Sequence, residues 1–128
     1  TLDGTPHMGS ALYLSTRDMA KLGQVFLDDG LWNGERIVSQ SWVEQATQKR
    51  VDNGTWGYGY QWWMTSFRAG NTAYQKYYAD GLGGQHIFVF PALNAVVAFN
   101  GDAYDDDEKQ QRNYRMILQD YILPSMLD

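Results

Sequence analysis

The 128-residue chain contains no cysteine, which excludes disulfides, a thiolate nucleophile and Cys-based zinc sites. That absence fits a reducing or an exported compartment equally and leaves localisation open. Prolines number only 3, and no apolar run approaches the roughly 18 residues that a membrane span needs. The opening residues carry no signal-peptide pattern. Positive charge is also scarce, with 10 Lys and Arg against 15 Asp and Glu and a formal net charge of −5. No basic stripe exists to neutralise a phosphate backbone, so no nucleic-acid partner is expected. An anionic membrane surface would repel the chain, so no membrane partner is expected either.

What is abundant is aromatic: 15% of residues, including 5 Trp and 9 Tyr. Such rings usually fill a core, but they also line grooves that bind organic ligands. Length and a 44% apolar share predict a single domain, residues 1–128,. Nothing repeats at a solenoid period, and no linker divides the chain.

Residues 1–10, TLDGTPHMGS, are loop-like. Ser15 followed by Asp18 then forms a capping-box signature, Met19, Leu22 and Phe26 recur at helical spacing, and Gly30 is placed to end the helix,. Asn33-Gly34 predicts a two-residue hairpin turn. A second helix follows, with Ser39 and Ser41 competing for its N-cap. NGTWGYGYQWWMT (residues 53–65) reads as a strand entry and NTAYQKYYA (71–79) as a further short strand. QHIFVFP and NAVVAFNG barely alternate in hydropathy, which predicts an antiparallel hairpin covered on both faces, turning at Pro91 to Leu93. In the last segment Tyr114, Ile117, Leu118, Tyr121 and Ile122 form one apolar stripe, as in a helix packed on a sheet. The expected fold is α+β, an antiparallel sheet flanked by helices.

The glycine cluster Gly81, Gly83 and Gly84 is not a phosphate cradle. The third position of a dinucleotide fingerprint is His86, a strand follows where a helix is needed, and no Gly-Lys-Ser/Thr ending is present,. The acidic run Asp102, Asp105, Asp106, Asp107 and Glu108 lacks the alternation of an EF-hand loop, so it reads as the solvated start of a helix rather than a metal site. His7 and His86 are the only histidines and form no i,i+4 pair; His86 at a strand head reads as a packed residue before a base. None of Ser10, Ser15, Ser39, Ser41, Ser66 and Ser125 has Lys three residues on, and G-x-S-x-G is absent,. No nucleophile–base pair is legible, and neither a metal nor a cofactor is expected.

Three segments taken in order carry a resemblance: GSALYLSTRDMAKLGQVFLDDGLWNGERIVSQSWVEQAT, WGYGYQWWM and YYADGLGGQHIFVFPALNAVVAFNG. The set resembles the serine β-lactamase-like superfamily, nearest its class C and penicillin-binding-protein relatives that include carboxylesterases and 6-aminohexanoate-dimer hydrolases. The resemblance implies the C-terminal part of a β-lactamase/transpeptidase-like fold, because the family's S-x-x-K nucleophile and Tyr motif lie ahead of the matched stretch. The family's Lys-Thr-Gly position falls on Ala79, Asp80 and Gly81. Lys is absent there, which removes the cation that would hold a β-lactam carboxylate. The residue after that motif, Leu82, would offer its backbone N–H as one oxyanion-hole donor, with Gly81 and Gly83 letting substrate approach the backbone. Asp80 would orient an amine or amide of the substrate, or cap the turn.

The resulting expectation is part of a serine hydrolase that cleaves a small-molecule ester or amide through an acyl-enzyme and is inactive alone. The alternative is a non-enzymatic module using Tyr58, Tyr60, Trp62 and Trp63 as a ligand platform. An exposed apolar face would favour self-association or pairing with the missing N-terminal part.

Overall fold

A computed structural model describes Gly4, residues 12–69 and residues 71–127. The chain runs α1 (Thr16–Leu27), β1 (Leu31–Trp32), β2 (Glu35–Arg36), α2 (Gln40–Ala46), β3 (Val51–Asp52), β4 (Gly57–Tyr58), β5 (Trp63–Ala69), β6 (Thr72–Gly81), β7 (Gln85–Phe90), β8 (Ala95–Phe99), α3 (Asp107–Ile117) and α4 (Leu123–Leu127). Strands β3 to β8 form a six-stranded antiparallel sheet in sequence order, and β1 and β2 form a separate hairpin. The structure is an α+β fold with helices on both faces of its sheet.

Local chemistry sets these elements. Ser15 caps α1: its hydroxyl accepts from the Asp18 N–H at 3.2 Å and donates to the Asp18 carboxylate at 2.7 Å. The helix then stops where Asp29 and Gly30 adopt positive φ of 53° and 90°, with the Gly30 N–H bonded to the Val25 carbonyl at 2.7 Å. Asn33 and Gly34 turn the β1–β2 hairpin with φ of 51° and 84°, the two positive angles that a type I′ turn requires. At α2 Ser39 wins the cap, its hydroxyl accepting from the Trp42 N–H at 3.2 Å.

Two cores lie on opposite faces of the sheet. Residues Ile87 and Val89 point toward α1 and join Met19, Ala46, Trp62 and Met64. Residues Phe88 and Phe90 point the other way, against Leu118 and Leu123 from the last helices and Val97 from β8. Strand β7 is therefore covered on both sides, and Val89 and Phe90 are fully buried. Its lack of alternation follows directly.

Gly23 brings α1 down onto the sheet. A Cβ there would lie 2.6 Å from Val96 Cγ1 and 2.8 Å from Ile87 Cγ2, so only hydrogen fits. This explains one departure from the helical periodicity. Leu22 was expected to face the core with Met19 and Phe26, but it is 39% exposed, while Gly23 and Val25 are buried.

The last segment departs further. Ile117 and Tyr121 are exposed, and the packed residues are Tyr114, Leu118, Ile122 and Leu123. Between α3 and α4 the chain makes a π-helical turn, Leu118–Ile122, in which the Leu123 N–H donates to the Leu118 carbonyl five residues back. The wide turn places Leu118 and Leu123 on one face, which regular α-helical spacing would not. Pro124 follows it; having no N–H, it could not continue the regular ladder to Asp120. Strand β6 runs on to Gly81, two residues past the expected 71–79 stretch.

Candidate functional site

The site is built at one end of β6. Strands β5 and β6 pair from Ala69↔Thr72 to Trp63↔Tyr78 and no further. Before Trp63 the chain turns away, and the Trp62 carbonyl accepts from the Gly59 N–H at 2.8 Å. Residues Ala79, Asp80 and Gly81 pair with β7 on one side, as Ala79↔Ile87, Asp80↔His86 and Gly81↔Gln85. On the β5 side they have no strand partner among the described residues. The interior strand thus becomes a free edge over its last three residues.

The turn that follows fixes an amide at that edge. The Gly84 N–H donates to the Gly81 carbonyl at 3.3 Å, and Gly83 has φ of +90°, the third-position conformation of a type II turn. The Gly81 carbonyl therefore points into the turn. Across a trans peptide the N–H of the next residue points opposite to that carbonyl, and no peptide bond here is cis. The Leu82 N–H accordingly faces outward. Leu82 as a whole is 68% exposed.

A second segment braces the turn. The Ala103 N–H donates to the Gly83 carbonyl at 3.0 Å. The Gln85 side-chain amide donates to the Gly101 carbonyl at 2.9 Å and to the Tyr104 hydroxyl at 3.0 Å. The space where a Gly83 Cβ would stand is taken by the Tyr104 ring, 2.7 Å away, while a Cβ on Gly81 would meet Gln85 at 3.2 Å. Beside this brace the Asn100 amide donates to Thr16 Oγ1 at 2.9 Å, tying the end of β8 to the start of α1. Donors aimed where negative charge develops stabilise it most when they need not reorganise, and this turn is held from two sides.

Asp80 sits in the strand rather than in the turn, with its carboxylate half-exposed. Oδ1 lies 3.2 Å from Nδ1 of His86, which is 2% exposed. The contact is not aligned as a hydrogen bond, and neither ring nitrogen of His86 has a hydrogen-bond partner among the described residues. The imidazole is enclosed by rings: its centroid lies 4.2 Å from Tyr114 and 5.2 Å from Phe88. His86 is packed, as a histidine at a strand head is expected to be, yet the carboxylate beside it belongs to a site candidate.

The other candidates fall elsewhere. Asp106 is the N-cap of α3, accepting from the Lys109 N–H at 2.8 Å. Trp62 is buried against Phe26 and Tyr77, so it belongs to the core and not to a platform. Tyr60 instead stacks on the half-exposed Trp42 at 5.4 Å. Two surface concavities, one around Asp28, Asn33 and Arg36 and one around Lys76, Gln119 and Leu123, lie apart from Leu82. His7 and Ser10 fall outside the described residues. Sequence reading missed the brace from Gly101 to Tyr104 and the Asp80–His86 pairing. The pairing had a signal, because counting back from the glycine turn sets Gln85 opposite Gly81 and His86 opposite Asp80.

A helix-flanked antiparallel sheet agrees with the relationship to the β-lactamase-like superfamily that two comparisons support. Over 94 residues, 65% of the chain, it is 31% identical to the 6-aminohexanoate-dimer hydrolase of Paenarthrobacter ureafaciens. A solved structure from Bacillus anthracis that carries the same hydrolase name provisionally matches with a TM-score of 0.60 at 25% identity over 86% of the chain. The matches span 23% of the first relative and 29% of the second. No protein-family model matches the chain.

Proposed function

We propose that this chain supplies the oxyanion wall of a serine hydrolase acting on an ester or amide through an acyl-enzyme. The observation that carries the reading is the outward Leu82 N–H, set by the Gly84-to-Gly81 hydrogen bond at 3.3 Å. Two relatives named as 6-aminohexanoate-dimer hydrolases support the reaction class, since that dimer is joined by an amide. In this reading a serine outside these 128 residues, on the same polypeptide or another, attacks the acyl carbon. Its proton passes to the base beside it, and the carbonyl oxygen, now negative, takes a hydrogen bond from Leu82. Collapse expels the alcohol or amine, and water later releases the acid. Gly81 and Gly83 keep the approach to this amide low, and Asp80 pairs with an amine or amide N–H of the substrate. The absence of Lys at Ala79 turns the site away from carboxylate-bearing β-lactams. The chain alone is inactive.

Fluorophosphonate labelling tests the proposal. The chain by itself takes up no label and hydrolyses p-nitrophenyl acetate no faster than buffer, and the assembled enzyme is labelled on a serine outside residues 1–128. Stoichiometric labelling of Ser15, Ser39, Ser41, Ser66 or Ser125, or of Ser10, would overturn it.

A further inference from the structure

We propose that His86 is the positioning residue for Asp80, drawing one carboxylate oxygen back so that the other faces the free edge of β6 beside the Leu82 amide. The specificity half of this inference rests on the hydrolase reading above; the positioning half does not.

A polar ring nitrogen withdrawn from water needs a partner, and His86 is 2% exposed with neither nitrogen hydrogen-bonded among the described residues. Its surroundings offer little choice. From the helix side comes the Tyr114 ring, from its own strand Phe88, and from β8 its register partner Phe99. On the same face Lys76 lies over the Phe88 ring at 4.6 Å, and Arg115 follows Tyr114 on α3. The Asp80 carboxylate is within reach, at 3.2 Å from Nδ1. The ring is wedged between aromatics while the Asp80 side chain is 45% exposed, so the carboxylate is the part free to align.

A small rotation of Asp80 completes the Nδ1–H···Oδ1 bond and commits the side chain to one rotamer. Oδ2 is then presented to solvent one residue before the Gly81 turn, where an acyl group held at Leu82 would lie. A substrate that brings an ammonium there satisfies Oδ2 by a charge-assisted hydrogen bond. One that brings only methylene leaves it solvated.

The test reads the Asp80 χ1 rotamer in the chain itself, from three-bond side-chain couplings. Wild type and His86→Asn, whose amide nitrogen reproduces Nδ1–H, show one rotamer; His86→Leu shows averaging. Asp80→Asn, at a half-exposed position, shifts the His86 imidazole 15N signals. In the assembled enzyme, His86→Leu and Asp80→Asn each reduce about tenfold the preference for the p-nitrophenyl ester of 4-aminobutyrate over that of butyrate, and His86→Asn restores it. A purely structural histidine would change both esters together. A single Asp80 rotamer in His86→Leu, or 15N signals unmoved in Asp80→Asn, overturns the positioning role whether or not the chain belongs to a hydrolase. An unchanged ester preference overturns the specificity role.

Discussion

The backbone N–H of Ala103 donates to the carbonyl of Gly83 at 3.0 Å, joining the segment after β8 to the turn between β6 and β7. Twenty residues of sequence separate the two, and Tyr104 closes over the same glycine. Gly83→Ala must therefore place a methyl group against the Tyr104 ring, 2.7 Å away, in a residue with φ of +90°. The expected cost is about 1–3 kcal/mol. Thermal unfolding measures it, and amide exchange at Ala103 should accelerate along with it.

Gly23 gives a second packing prediction. A Cβ there meets Val96 Cγ1 at 2.6 Å and Ile87 Cγ2 at 2.8 Å. Gly23→Ala should destabilise by about 1–3 kcal/mol through overpacking, more than the helical preference for Ala returns. Val96→Ala makes room, so the double variant should lose less than the sum of the singles. Denaturant unfolding of the four proteins in this cycle checks it.

Lys76 predicts a pH dependence. Burial lowers its pKa from 10.5 to about 8, and the nearby Arg115 adds to the effect. Between about pH 8 and 10.5 the unfolded chain holds more protons at this site than the folded one, so stability rises with pH across that window. The gain is of order 1–3 kcal/mol, since the rings of Phe88 and Tyr78 offset part of the desolvation,. Lys76→Met should stabilise the protein at pH 7 and flatten the rise. Above pH 10 the trend reverses, because burial holds the Tyr77 and Tyr78 phenols neutral in the fold while those of the unfolded chain ionise. Urea midpoints from pH 7 to 11 record both limbs.

The start of α1 gives a capping prediction. Ser15→Ala removes the acceptor of the Asp18 N–H and should cost about 0.5–2 kcal/mol,. The Asp18 carboxyl lies below its usual range through the Lys21 and Ser15 hydrogen bonds. A lowered carboxyl stabilises above its unfolded titration range and loses that effect as pH falls through the folded one. The deficit of Ser15→Ala, followed by thermal unfolding, should therefore shrink in acid.

Where side chains act on their own backbone, the sequence was legible. Ser15 with Asp18, Asn33-Gly34 and the uninterrupted Ile87–Phe90 run each name their structure, because a cap, a turn and a doubly covered strand are local decisions. The free edge at Ala79–Gly81 was not legible, since it depends on where β5 begins. Nor was the exposure of Ile117 and Tyr121, which follows from one wide helical turn ahead of Pro124. At the site, Leu82 and Asp80 came from resemblance to a family. Their geometry comes from the register of two strands and a brace about twenty residues downstream.

In the proposed hydrolase a backbone amide, not a side chain, acts at Leu82. Leu82 stands at the second position of a turn with Gly83 at the third, where proline is accepted and removes only the N–H. In the assembled enzyme Leu82→Ala should keep kcat within a few-fold, and Leu82→Pro should lower it by about 10² to 10³ with the unfolding temperature unchanged. A folded Leu82→Pro enzyme that turns over like wild type would contradict the account.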